Sequence, residues 1–213
     1  MFLNYTPNIV RLSMNKGLIG FCGYATVGKD TAISSLSKVL KDMNSNIVIG
    51  KIGFSDKLKD CLNNCIQMCK EHGIDTDTAE FKEKFRPMWV EWSKVAKDIT
   101  NDEEIWVKCA DKNVIKMQNS GKVVAICDVR YAYEIAYILK NGGQVVFIQR
   151  PGYTYKNDEE YKSFKLIEKV YADLQSTNTI NNDSSKDKLG KNVFDLLTKR
   201  GFFDKLHITP SLF

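Results

Sequence analysis

Seven consecutive residues, Gly23-Tyr24-Ala25-Thr26-Val27-Gly28-Lys29, match the pattern G-x-x-x-x-G-K. Upstream, residues 17–22 (GLIGFC) read as a short buried strand. Downstream, residues 30–43 repeat apolar side chains at helical spacing. A glycine-rich loop in that setting turns its backbone amides inward around phosphate, and the helix that follows adds its positive dipole end. The lysine then reaches the β- and γ-phosphates. The pattern commits the chain to a strand–loop–helix unit, and with it to an α/β sheet.

The rest of the chain extends that unit. Residues 47–54 (IVIGKIGF) read as a second strand, with Ser55 as the cap of a helix over 56–71. Residues 78–100 are helical in pattern and crowded with Lys, Arg and Trp, and Asp102 caps a further helix to about 118. Residues 123–126 (VVAI) form an apolar strand that ends in Cys127 and Asp128. A helix over 131–139 stops at Asn141-Gly142-Gly143, and 145–148 (VVFI) is the next strand. After a loop at 151–155, residues 158–174 carry one helical apolar stripe, then a short strand at 177–180 and a closing helix over 186–200. Uninterrupted apolar strands that alternate with helices imply a parallel sheet covered on both faces. The expected domain is single, 1–213: 17–54 hold the phosphate loop and first strands, 55–120 an acceptor-binding helical segment, and 151–174 a lid. A plain surface helix at 158–174 fits the sequence as well as a lid does.

Composition narrows the function classes. No run of about 18 apolar residues is present, so no membrane span is expected. The first residues lack a basic stretch leading into an apolar one, so a cytoplasmic protein is expected, in the host cytoplasm if the source is viral. A formal charge of +5 suits anionic nucleotides but falls short of a nucleic-acid-binding stripe. Only five of the 31 basic residues are arginines. Arginine offers a planar fork for phosphate oxygens where lysine offers a point charge, so Arg86, Arg130 and Arg150 stand out. The six cysteines contain no C-x-x-C pair. Cys61, Cys65 and Cys69 recur every four residues on one helix face, and buried thiols acting as small hydrophobes are the expected reading.

Two carboxylates point to a metal. Asp30 stands where the usual loop has its Mg²⁺-binding Ser or Thr, with Thr31 next. Facing Mg²⁺, directly or through water, makes a carboxylate there tolerable beside a triphosphate; a first-turn partner for the helix dipole is the other reading. Asp128 follows an apolar strand at the end where open α/β sheets place ligands. It reads either as a metal- or water-positioning residue or as the cap of the next helix.

These residues together resemble the bacteriophage and viral deoxynucleoside monophosphate kinases of the P-loop kinase superfamily. Gly23 to Thr31, ending Gly-Lys-Asp-Thr, is similar to that family's phosphate loop. Asp128-Val129-Arg130, then Glu134 and Gly142-Gly143-Gln144-Val145-Val146, resembles its Asp-Val-Arg segment and following strand. Ile105-Trp106-Val107 and Thr179-Ile180-Asn181-Asn182 are weaker matches. The resemblance implies an ATP- and Mg²⁺-dependent kinase with a doubly wound parallel sheet flanked by helices, a mobile lid and an acceptor-binding helical segment. One departure concerns the acceptor: Trp92-Ser93-Lys94-Val95-Ala96-Lys97 replaces a Gly-Thr-Glu-x-x-Arg-like segment, so Lys97 stands in for an arginine.

The roles expected on this basis are as follows. Gly23, Ala25, Thr26, Val27, Gly28, Lys29, Asp30, Thr31 and Arg150 bind ATP, and Lys29, Asp128 and Arg130 are catalytic. Asp30 and Asp128 serve the metal, while Arg86, Lys97, Arg130, Trp89 and Trp92 hold the acceptor. For Arg86 a solvated helix face, and for the two tryptophans ordinary packing, are the competing readings. The partners expected are ATP and a nucleoside monophosphate, with room for a homodimer and with neither nucleic acid nor membrane. Two rivals remain: a phosphomevalonate or dephospho-coenzyme A type kinase, and a nucleotide-binding viral scaffold without turnover.

Overall fold

Leu18–Cys22 forms β1, and all five of its residues are buried. Such a strand needs cover on both faces. The computed structural model describes residues 17–206. In chain order β1 is followed by α1 (Lys29–Asp42), β2 (Ile49–Ile52), α2 (Asp56–Cys61), α3 (Asn63–Glu71), α4 (Ala79–Thr100) and α5 (Ile105–Asn119). Then come β3 (Val123–Val129), α6 (Ala132–Lys140), β4 (Gln144–Gln149), α7 (Asp158–Val170), α8 (Ala172–Asn178), β5 (Thr179–Asn181) and α9 (Lys186–Lys199).

The strands make one sheet in the order β2-β3-β1-β4-β5, every pair parallel. From central β1 the chain moves first to β2 and β3, then crosses to β4 and β5. The winding therefore reverses at β1, and the carboxyl ends of β1, β3 and β4 open on the crevice where such sheets take ligands. Alternation along β1 builds the two cores. Leu18 and Cys22 pack with Val107 and Val114 of α5, Ile135 and Ile138 of α6, and Phe164 and Ile167 of α7. Ile19 and Phe21 pack with Ile33 and Leu36 of α1 and with Leu189, Val193 and Leu197 of α9. The expected α/β sheet flanked by helices on both faces is present.

Several elements differ from expectation. The helix over 56–71 is two helices, broken at Leu62, whose amide bonds back to Lys59 O in a tighter turn. Of the three cysteines there, Cys61 is exposed and Cys65 and Cys69 are half-buried, so buried thiols are not what they are. α3 carries no buried residue, because the break leaves it without a core to face. The helix over 158–174 is likewise two, parted at Tyr171, and the last strand begins at Thr179 rather than 177. β3 runs on to Val129, so Asp128 lies within the strand, one residue short of its end.

α4 stands apart from the core. From Glu80 to Thr100 no side chain is buried, and Pro87 removes one amide donor from the helix interior. Its apolar residues pack on each other: Phe81 on Phe85 at 5.3 Å between centroids, and Phe85 on Trp89 at 5.1 Å. Trp106 Nε1 of α5 donates to Ser93 Oγ at 2.7 Å and ties the two helices. Among the described residues no helix is long and apolar enough to cross a membrane.

Candidate active site

The loop between β1 and α1 is built on backbone shapes that its residue types permit. Gly23 has φ 152° and Gly28 φ 104°. A Cβ at Gly23 would strike the Ile148 carbonyl of β4, and one at Gly28 the side-chain amide of Asn182. Thr26 takes the left-handed shape with φ 64°. Val27, fully buried, pins the underside of the loop to the core. α1 begins at Lys29 directly after the loop, so its unpaired first amides sit beside it.

Lys29 curls back over this loop. Its ammonium donates to Gly23 O at 2.6 Å and Tyr24 O at 2.7 Å, and the residue is buried. Burial lowers its pKa, the Arg130 charge adds to that, and Glu160 and Asp128 oppose it. Lys29 and Arg130 follow the carboxyl ends of β1 and β3, whose Cys22 and Val129 are paired in the sheet.

Arg130 leads a turn that Glu134 shapes. Glu134 Oε2 accepts from the Arg130 amide at 2.6 Å and the Tyr131 amide at 3.0 Å. Burial, and behind it the charge of Asp128, pushes the Glu134 carboxyl up to about 8, while the two amide bonds hold it down. Beside this turn lies Lys97, its Nζ 5.2 Å from the Tyr131 ring centre and 5.7 Å from that of Tyr133. The two rings are stacked at 5.3 Å, and Lys97 also pairs with Glu103 at 3.0 Å. The structure therefore brings Lys97 to the segment that carries Arg130.

The two carboxylates expected at a metal share one patch but are occupied differently. Asp30 pairs with Lys51 of β2 at 2.5 Å, and both side chains are largely exposed. Asp128 accepts from the Phe54 amide at 2.8 Å, the Ser55 amide at 3.0 Å and Ser55 Oγ at 2.5 Å. It fastens the turn between β2 and α2; the helix that follows it is capped by Glu134 instead. Between them the Cys127 thiol is pushed up to about 12 by burial and by the charges of Asp128 and Asp30. Among the described residues no three His, Cys, Asp or Glu side chains form a ready metal cage. Mg²⁺ at a nucleotide needs only one or two carboxylates beside phosphate and water, and the open Asp30 carboxylate fits that need.

A cavity of about 510 Å³ adjoins the loop, lined by Thr26, Gly28, Thr31, Arg150, Asn182 and Lys186 among others. Arg150, just past β4, lies 4.8 Å over the Tyr153 ring. Thr26, Gly28, Thr31 and Arg150 thus gather at this cavity. Arg86, Trp89 and Trp92 belong to α4. Arg86 bonds Glu83 at 3.2 and 3.3 Å, Trp89 packs on Phe85, and Trp92 is exposed. The contacts of Arg86 and Trp89 lie within α4.

Two residues of this region, Lys51 and Glu160, were not singled out from sequence, and a third, Asn182, entered only within the weak Thr179-Ile180-Asn181-Asn182 match. Lys51 reads as ordinary strand-face charge. Asn182 donates from Nδ2 to Val27 O at 2.8 Å, and only the fold brings these residues together. Glu160 accepts from the Ala25 amide at 2.8 Å. Asn157-Asp158-Glu159-Glu160 has the spacing of a local helix-capping box, a signal that hides the long-range bond.

No protein-family model matches the chain, and no curated protein matches it. Among solved structures it is similar to shikimate kinase from Aquifex aeolicus, with 17% identity, 86% of this chain and 98% of that one covered, and a TM-score of 0.41. It is also similar to the Mycobacterium tuberculosis APS kinase CysC in complex with AMPPNP and APS, with 17% identity, coverage of 85% and 97%, and a TM-score of 0.37. Likenesses this distant carry no function across.

Proposed function

We propose that the chain transfers the γ-phosphoryl group of ATP to a deoxynucleoside monophosphate. The observation that carries this reading is a glycine-shaped loop with a buried lysine at the carboxyl end of central β1, with Arg130 following Val129, the residue of neighbouring β3 that pairs with Cys22. Phosphoryl transfer asks a protein for positioning and charge neutralisation, with little covalent help. The loop amides and Lys29 hold the donor phosphates, and the cavity bounded by Arg150 and Asn182 takes the rest of the nucleotide. Arg130 offers a fork to phosphate oxygens, and Lys97 with the Tyr131–Tyr133 stack offers the acceptor a cation and a flat face. Asp30 is the residue that would hold Mg²⁺, which neutralises phosphate charge when bound; Lys51 must then yield the carboxylate. Asp128 fixes the turn at Phe54 and Ser55 and adds negative charge to the same patch.

A panel of acceptors with ATP and Mg²⁺, read by diphosphate formation, tests the proposal. At least one deoxynucleoside monophosphate is phosphorylated, with little product from mevalonate phosphate or dephospho-coenzyme A. Turnover of only the latter two would assign the chain to another small-molecule kinase. Tight ATP binding with no product from any acceptor would leave a nucleotide-binding scaffold.

A further inference from the structure

Glu160, in the first turn of α7, is a carboxylate buried against the phosphate loop. Its Oε1 accepts from the Ala25 amide at 2.8 Å and its Oε2 from the Lys156 amide at 2.8 Å. Its own amide donates to Asn157 Oδ1 at 2.9 Å, which fixes the turn. One turn on, Phe164 packs against Tyr24 of the same loop, with ring centres 4.4 Å apart. A carboxylate oxygen on a loop amide makes the charge-assisted bond that a phosphate oxygen makes there. In this motif the lysine serves the β- and γ-phosphates, and the Glu160 charge is near enough to Lys29 to act on it. The neighbouring Glu159 accepts from Tyr131 Oη at 2.9 Å. The first turn of α7 is therefore tied to the donor loop by one carboxylate and to the acceptor side by the next.

We propose that Glu160 is an internal phosphate mimic that occupies the γ-phosphate end of the loop, so that a nucleoside triphosphate must displace it and a diphosphate need not. The inference rests on reading the loop as the ATP site. A γ-phosphate and the Glu160 carboxylate repel each other and compete for the Ala25 amide. A diphosphate seated at the N-terminus of α1 leaves that amide to Glu160. Displacement frees the first turn of α7, and with it the neighbouring Glu159–Tyr131 tie. The segment from 151 onward thereby becomes a lid that responds to the third phosphate.

The test is calorimetric titration of the full chain with ADP and with a non-hydrolysable ATP analogue, in wild type and Glu160→Gln. Glutamine keeps the size and one acceptor oxygen but removes the charge. The variant binds the triphosphate about tenfold more tightly and ADP within about twofold of wild type, the difference being one partly screened charge repulsion. Independently of any variant, amide exchange over residues 158–164 of the wild type speeds up with the triphosphate analogue and not with ADP. An unchanged triphosphate-to-diphosphate affinity ratio, or equal weakening of both, would make Glu160 a structural brace and overturn the latch while the donor site stands. Unaltered exchange with bound triphosphate would overturn it as well. Failure of either nucleotide to bind in either protein would sink the latch together with the donor-site reading.

Discussion

Asn182 Nδ2 donates to the carbonyl oxygen of Val27 at 2.8 Å, joining the turn after β5 to the phosphate loop. The Asn182 amide in turn donates to Gln149 O at 2.7 Å, so the side chain is held from behind by β4. A loop with unusual backbone angles at Gly23, Thr26 and Gly28 needs such an outside brace. Asn182→Ala removes it and opens space where Gly28 has none to spare. The variant is expected to lose about 1–2 kcal/mol of stability, the cost of one buried polar group left without its partner. Its Kd for ATP rises while the sheet stays intact. Urea denaturation with ATP titration checks both, and an unchanged Kd would show the loop holds its shape unaided.

Lys29→Ala should cut kcat far more than it weakens ATP binding. The ammonium is held by two loop carbonyls, and in the proposed reaction it neutralises the charge that develops on the transferred phosphoryl group. Ligands to charge that develops in the transition state contribute about 3 kcal/mol or more, which is beyond a hundredfold in rate. Steady-state kinetics within a few-fold of wild type would rule out a phosphate-loop mechanism.

The Asp30–Lys51 pair places an ammonium on the carboxylate proposed to hold Mg²⁺. The pair is exposed, so its removal costs little stability. Asp30→Ala raises the Mg²⁺ concentration for half-maximal rate, and Asp30→Ser recovers part of the loss. Lys51→Ala moves the same midpoint downward, because the carboxylate no longer carries a competing cation. Identical Mg²⁺ titrations in all three variants would return Asp30 to a helix-dipole role.

Glu134 gives the protein a pH dependence of known sign. Its carboxyl titrates near 8 in the folded protein against a normal value of 4.5. The folded state therefore holds a proton that the unfolded chain has released, and stability falls as pH rises between those two values. Glu134→Gln keeps an acceptor for the Arg130 and Tyr131 amides and abolishes the titration. Urea midpoints at pH 6 and pH 9 should show wild type losing more stability on this rise than the variant. Parallel losses would place the ionised carboxylate in the fold at both pH values.

How much of this was legible beforehand depended on whether a residue acts through its neighbours in sequence. The phosphate loop, its flanking strand and helix, and the alternation of strand and helix are local patterns, so the sheet could be read from periodicity. The breaks at Leu62 and Tyr171 were not, because both lie inside stretches whose apolar spacing continues across them. Glu160 carries a capping signature that explains it without any tertiary contact, yet its carboxylate bonds a residue 135 positions away. Lys51 has no local signature and Asn182 only the weak Thr179-Ile180-Asn181-Asn182 match, and the parallel register of the sheet from β2 through to β5 puts them beside the loop. Charge-dense α4 suggested an acceptor face; the bonds Arg86 makes there remain within the helix.

The acceptor side yields the last prediction. Lys97 has a half-buried side chain and lies over the two rings next to Arg130, whereas Arg86 pairs with the exposed Glu83. An exposed pair of that kind is cheap to open, so the Arg86 fork is available to an incoming phosphate if α4 closes. Both Lys97→Ala and Arg86→Ala therefore raise KM for the monophosphate, and Lys97→Ala does so more strongly, by about tenfold for a lost charge-assisted contact. KM for ATP moves little in either. A rise in acceptor KM with kcat preserved marks binding shared by ground state and transition state. Tyr131→Leu separates the ring face from the charge: it removes the stack and the tie to Glu159 but leaves the Lys97 ammonium in place. If Lys97→Ala leaves acceptor KM unchanged while Arg86→Ala raises it, the monophosphate sits against α4 and not against the Tyr131 turn.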